Sequence, residues 1–452
     1  MKQLQRWALA LVLAGAASGA SAKVSAEKAA ELDGPKYTCI GAERAGSKSG
    51  VAEYTGKWFK TWPGVTQPHG YEPGPYAAEK PLFTINAGNQ AQYAARLTPG
   101  QKALLAKYPQ SFRINVYPSH RDFRFADWVC DTTKTNAATA ELLDEGMGTS
   151  GIGGAVPFPF PASGLEAVWN TINPHRAWTE SVVTDIADVY ANGTIGWGRN
   201  KFMSLNLMND PVKRLPFTHP INAYFYTGYL LPEREKGSVA VGYSPNNFAK
   251  GRLMAWQYLP GIRRVRQAPE VCCDYPVPPA GLRTVDDDYG FNGSPERFTW
   301  KLVGKQELYV PYHNFRINDP ALKYKQLMTP GSINPDYERY ELHRVWVVEG
   351  TLKPGLRHLY SKRILFVDED SWLTIMADNY DVRGELWRMT MVNYFYSQES
   401  GTFHRSATLH HDLLAGSYEA NYLTNESKNW WRLNLPLKPA EFTPEAAARG
   451  GR

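Results

Sequence analysis

The sequence predicts a mainly β protein of α+β character: one large curved antiparallel sheet, or incomplete β-barrel, with helices in its concave face. Three observations carry this. From about Thr179 onward the chain reads strand, turn, strand with few interruptions. Aromatic residues make up 13% of the chain, with 14 Trp and 26 Tyr, and they gather on those strand-like runs, where large side chains cover sheet faces. Several runs are apolar at both parities: in 385–396, Trp387, Met389, Met391 and Phe395 share one face while Leu386, Val392, Tyr394 and Tyr396 share the other. A sheet with two partly apolar faces is covered on both sides, as when it curves around helices or a ligand.

The first 22 residues set the compartment. Lys2 and Arg6 form a short basic region, Trp7 to Ala17 is an apolar run too short to span a bilayer, and Ala20-Ser21-Ala22 offers the small-x-small pattern of a cleavage site. Cleavage after Ala22 is expected, giving a protein exported to the periplasm with no lipid-anchor cysteine, possible association with the outer membrane being left open. The formal charge of +6 then drops by two, with no Lys/Arg block, which argues against a nucleic-acid partner. No other apolar run approaches membrane-spanning length.

Residues 23–176 read as helical pieces joined by Pro/Gly-rich loops. Thr98-Pro99-Gly100-Gln101 is a capping box opening a short helix that ends near Tyr108. Residues 136–145 are expected to be helical and stopped by Gly146, where a flexible Gly-rich loop to Gly154 begins. That loop lacks the Lys-Ser/Thr of a phosphate loop. Ser163 opens a second capping box, behind which Leu165, Val168, Trp169 and Ile172 form one buried stripe.

Residues 177–435 read as the antiparallel half-barrel. Runs 182–191 and 194–205 flank Asn192-Gly193, a strong hairpin signal. Runs 221–231, 237–243, 251–258, 262–266 and 297–310 follow, then a meander of 342–352, 358–367, 372–380 and 385–396, and a last pair at 403–411 and 417–423. The Pro-rich stretch 268–296, with Asp286-Asp287-Asp288, reads as a surface excursion whose acidic run is a solvated turn. Residues 436–452 read as a flexible tail.

Four cysteines in an oxidising compartment permit two disulfides. Because Cys272 and Cys273 are adjacent, each is expected to pair elsewhere, with Cys39 or Cys130; a bridge from Cys130 to Cys272 or Cys273 is the favoured one. No Cys/His spacing points to a zinc site, and no metal or cofactor is expected. Catalytic constellations are missing too. Gly242-Tyr243-Ser244-Pro245-Asn246 lacks the closing Gly of a nucleophile elbow. His410 and His411 point to opposite faces of a strand and cannot share a metal. Glu349, Asp368, Glu369 and Asp370 fall at strand ends, where acidic residues are common.

The stretches Val24–Gly46, Lys80–Tyr108, Gly154–Asn170, Trp256–Pro269 and Phe291–Tyr312 resemble a bacterial family of exported proteins known as domain of unknown function 1329, many of whose members are called outer membrane lipoprotein-sorting proteins. That family is similar to the periplasmic lipoprotein carriers LolA and LolB. The resemblance implies an incomplete, strongly curved antiparallel barrel with helices in its mouth. The N-terminal 150 residues have no counterpart in those carriers, and Cys272-Cys273 departs from the pattern. The expected function is non-catalytic: sheltering a lipid or other hydrophobic molecule in the half-barrel for envelope transport. Candidate lining residues are Trp256, Tyr258, Trp346, Trp372, Trp387, Met389 and Met391. The alternatives are a scaffold of an inner- or outer-membrane transporter assembly and a lipid or ester hydrolase.

Overall fold

Hairpin turns and period-2 burial organise the chain from Thr179 onward into one sheet. The computed structural model describes residues 24–57, 62, 70–212, 217–269, 272–427 and 429–451, so the leader and its cleavage point lie outside the described residues. The helices are α1 (Ala26–Ala30), α2 (Pro99–Lys107), α3 (Asp127–Thr139), α4 (Gly164–Ile172), α5 (Tyr324–Leu327) and α6 (Pro444–Gly450). The first strands are β1 (Phe83–Ile85), β2 (Ile114–Val116), β3 (Glu141–Leu143) and β4 (Gly148–Ser150). The long strands begin with β5 (Thr179–Val189), β6 (Ile195–Asn206), β7 (Ile221–Leu231), β8 (Val239–Pro245), β9 (Met254–Leu259) and β10 (Arg264–Gln267). After them come β11 (Phe298–Pro311), the short β12 (Met328–Thr329) and β13 (Ser332–Ile333), and β14 (Tyr340–Leu352). The chain closes with β15 (Lys362–Asp368), β16 (Thr374–Tyr380), β17 (Leu386–Ser397), β18 (Thr402–Asp412), β19 (Ser417–Leu423) and β20 (Arg432–Leu433).

Sixteen strands form one sheet, ordered β1-β2-β14-β15-β16-β17-β18-β19-β5-β6-β7-β8-β9-β10, with β11 also on β14 and β20 on β5. Every pairing is antiparallel except one bridge between β2 and β14 at Val116 and Tyr340. The sheet does not close: β1 and β10 end its path. The expected mainly β, open architecture is what forms. Every residue from Met389 to Ser397, and all of β18 and β19, is buried, so the centre of the sheet is covered on both faces.

The register sets what covers each face. Thr390, His410, Glu419 and Asp188 lie in one cross-strand row, and the segment 272–297 packs over that face. The neighbouring row, Met389, His411, Tyr418 and Val189, belongs to the other face, where α2 lies. Gly100 of α2 donates its N–H to Asp378 Oδ2 at 2.9 Å. A side chain at Gly100 would meet the Met389 sulfur at 2.6 Å, so the close approach of helix to sheet requires glycine.

Four expectations change here. The helix placed at 136–145 is instead α3, ending at Thr139, followed by the β3–β4 hairpin. Thr132, Thr133 and Thr135, poor helix formers, hid its true start. Asn136 fixes its end, donating to the carbonyls of Gly154 and Val156 at 2.7 and 3.0 Å and thereby ordering the Gly-rich loop. The tail 436–452 is not loose over its described part: Phe442 and Ala447 are buried against Met203, Tyr226, Val241 and Tyr258. The disulfide joins Cys130 to Cys39, not to Cys272 or Cys273, both of which are free thiols. The fourth change concerns the acidic run, which forms part of the site below.

Candidate functional site

A cavity of about 430 Å³ lies between β6–β9 and the segment 268–297. Period-2 geometry selects its sheet wall. Phe202, Thr227, Ala240 and Gln257 are aligned across four strands, and Ser204, Phe225, Gly242 and Ala255 form the next row. Small side chains on β8 and β9 leave the room. At Gly242 a Cβ would stand 2.6 Å from the Phe225 ring and 2.1 Å from the Met254 carbonyl, so this row closes only around glycine. Tyr229, Tyr289 and Tyr422 add aromatic surface, while Arg176, Arg283 and Asp288 add charge. The wall is thus mainly apolar with a few convergent polar groups, the usual make-up of a small-molecule site.

The acidic run expected as a solvated turn is buried and locks the second wall to the sheet. Arg363, fully buried in β15, contacts Asp286 Oδ2 and Asp287 Oδ1 at 2.9 Å each. Tyr360 donates to Asp287 at 2.8 Å and His358 adds a contact to Asp286 at 3.1 Å. Arg405 reaches Asp288 at 2.9 Å, its guanidinium lying 3.8 Å from the Tyr289 and Tyr422 ring centroids. Burial alone would raise the Asp286 pKa, but Arg363 and His358 outweigh it and hold the carboxyl down at about 2. Asp188 shows the reverse: burial, reinforced by Glu419, pushes it up to about 8. The excursion is therefore a fixed layer, because unpaired charges at this depth would be prohibitive.

Cys272 and Cys273 stand in the cavity wall with their sulfurs 2.8 Å apart. The hydrogen bond from Cys273 lowers the Cys272 pKa below that of an ordinary thiol, favouring a thiolate at Cys272 over one at its neighbour. The chemistry on offer is a thiol pair beside an aromatic pocket.

Of the seven residues expected to line a site, only Trp256 touches this cavity, and its ring is on the opposite face of β9, packed with the cluster beneath α6 and 5.8 Å from the ring of Tyr243. Tyr258 faces the other side of the sheet, beneath α6. Trp346 and Trp372 stack at 5.8 Å, and the Trp372 indole donates to the Ile40 carbonyl at 3.0 Å. The Trp387 indole donates to Asp412 at 2.9 Å. Met389 and Met391 are fully buried in the main core. These residues pack; they do not line a chamber. The signal that was missed is the run of small residues at matching parity, Ala240, Gly242 and Ala255, on adjacent strands. The adjacent histidines fall in different cross-strand rows: His410 contacts the Thr390 hydroxyl at 3.1 Å, and His411 stacks on Tyr418.

Among the described residues no helix is long and apolar enough to cross a membrane. The chain is 38% identical over 445 residues to an uncharacterized protein of Pseudomonas aeruginosa, covering 98% of this chain and 97% of that one. Solved structures with a measurable likeness include an outer membrane lipoprotein-sorting protein domain from Vibrio parahaemolyticus, with TM-score 0.44, 14% identity and coverage of 63% of this chain and 98% of that one. A DUF1329 family protein from Desulfovibrio piger gives a TM-score of 0.41 at 15% identity, over 62% of this chain and 95% of that one. A LolA superfamily protein from Nitrosomonas europaea gives 0.37 at 13% identity, over 62% and 96%. The family model described as "Protein of unknown function (DUF1329)" matches residues 84–448, and with that span the chain belongs to the DUF1329 family.

Proposed function

We propose that this is a non-catalytic protein of the periplasm that holds a lipid or other hydrophobic molecule in the cavity between β6–β9 and the segment 268–297. The observation that carries the reading is the cavity itself: about 430 Å³, walled by Phe202, Phe225, Tyr229 and Tyr289, and edged by Arg176 and Asp288. That pattern suits an amphipathic guest, with hydrocarbon against the rings and a polar end at the charged edge. Burying ten methylenes contributes about 8 kcal/mol, enough to retain such a guest without covalent chemistry. Placement in the envelope rests on the basic, apolar and small-x-small pattern of residues 1–22.

A fluorescent acyl-chain probe tests this. The wild-type protein is expected to bind it saturably at one site, and binding is expected to shield Cys272 and Cys273 from alkylation. Ala240→Trp, which fills the cavity from its sheet wall, should abolish both effects while leaving the circular dichroism of the sheet unchanged. Equal binding by the two proteins would remove the cavity as the site.

A further inference from the structure

A second cluster lies away from the cavity, where β14 meets the turn between β15 and β16. His343, Asp368 and Asp370 are each at most 2% exposed, and one ligand atom from each lies within 4.8 Å of the other two. Two of those side chains have an atom left over: His343 Nδ1 and Asp368 Oδ1 are buried without a hydrogen-bond partner. An orphaned imidazole nitrogen and an orphaned carboxylate oxygen, with a third carboxylate beside them, are costly unless something between them accepts their lone pairs.

The surroundings are arranged as outer ligands of a metal usually are. Glu341 Oε2 stands 3.1 Å from His343 Nε2. The other oxygen of Glu341 faces Arg339 Nε at 2.6 Å and His313 Nδ1 at 2.9 Å, so the glutamate is the acceptor that Nε2 meets while Nδ1 is left facing the cluster. Tyr312 stacks on the His343 ring at 3.8 Å and donates its hydroxyl to Asp368 Oδ2 at 3.1 Å, where Ser371 also donates at 2.5 Å. These bonds orient Asp368 and leave Oδ1 free. Arg121 grips both oxygens of Asp370 at 2.6 Å, taking one lone pair of each and leaving the other. Asp370 Oδ2 is 3.9 Å from His343 Nδ1.

We propose that His343 Nδ1, Asp368 Oδ1 and Asp370 Oδ2 form a buried three-ligand site for a divalent first-row metal ion. One imidazole and two carboxylates suit Zn²⁺ foremost, closing to about 2.0–2.2 Å around the ion with a fourth position left for water. The role that follows is structural. Arg121 also donates to the carbonyls of Glu43 and Ala52, so an ion at Asp370 would brace the N-terminal segment against the sheet. The ligands come from positions 343, 368 and 370, a spacing no short motif reveals.

The test is metal analysis of tag-free protein, both from cells supplied with Zn²⁺ and after unfolding and refolding in Zn²⁺, each followed by gel filtration. The wild type is expected to retain one equivalent of Zn²⁺, and chelation during refolding is expected to lower its Tm. Asp368→Asn keeps the shape and the two hydroxyl bonds, so it should fold yet retain no Zn²⁺ and show no Tm response to it. His343→Gln should also lose the ion, and Glu341→Gln should weaken affinity by about 10–100-fold. Wild-type protein that retains no Zn²⁺ by either route, or Asp368→Asn that retains as much as wild type, would overturn the assignment. If His343→Gln fails to fold, the Asp368→Asn comparison decides alone.

Discussion

Met391 shows how much a single parity decides. It sits on the apolar-looking face of β17, but its side chain is fully buried and its sulfur lies 3.4 Å from the Tyr340 hydroxyl, in the main core. Met391→Glu therefore has no chamber to enter. An unpaired carboxylate there costs several kcal/mol, and the expected outcome is a collapse of folded yield and a large fall in Tm by circular dichroism. A folded variant with wild-type Tm would show that this side of β17 has room for a guest after all. Glu338 provides a pH handle. It is buried with one weak partner, the Tyr340 hydroxyl at 3.5 Å, and burial raises its pKa from 4.5 to about 8. The native state then keeps a proton that the unfolded chain releases, so stability is full below about pH 4.5 and declines as pH rises to about 8. Glu338→Gln should remove that decline, giving a stability gain of about a few kcal/mol at pH 9 and little change at pH 4 in denaturant titrations. A variant whose gain is the same at both pH values would contradict this.

Among the elements, the strands were the most legible. The run 221–231 coincides with β7, and the hairpin at Asn192-Gly193 joins β5 to β6, because alternation and turn chemistry are local properties. What was not legible is how elements without strong periodicity find partners. The segment 268–296 looks solvated because it is rich in proline and aspartate, yet its aspartates are matched by Arg363 and Arg405 and its own Arg283 by Glu419, all three partners coming from distant positions in the chain. The C-terminal residues looked loose because α6 is short and rich in small residues. Its seat is supplied by Tyr226 and Tyr258 on the far face of the cavity wall. Deleting residues 436–452 should therefore expose that face, lower the Tm and speed amide hydrogen exchange in β7–β9, while β15–β18 exchange as before. Unchanged protection in β7–β9 would mean that α6 contributes nothing to the wall.

At the scale of the whole molecule the sheet divides its labour. The half built on β14–β19 is packed on both faces, and its Trp, Tyr and Met residues serve as core. The half built on β6–β9 is thinner, braced by α6 on one side and standing off from a charge-pinned layer on the other. Aromatic richness alone could not tell these halves apart, since a core and a lipid site use the same side chains. The seven candidates followed aromatic and methionine content and so fell mostly in the packed half, while the cavity was set by small residues that composition does not flag. The central claim is that the space left between β6–β9 and 268–297 is occupied by a hydrophobic molecule in the cell. Native mass spectrometry of protein released gently from its own envelope addresses this most directly. A single extractable hydrophobic molecule per chain, absent from Ala240→Trp and present in a control substitution at exposed Val382, is the predicted result. Wild-type protein that emerges at the bare mass of its polypeptide and any bound metal ion, with no lipid in the extract, would contradict the account.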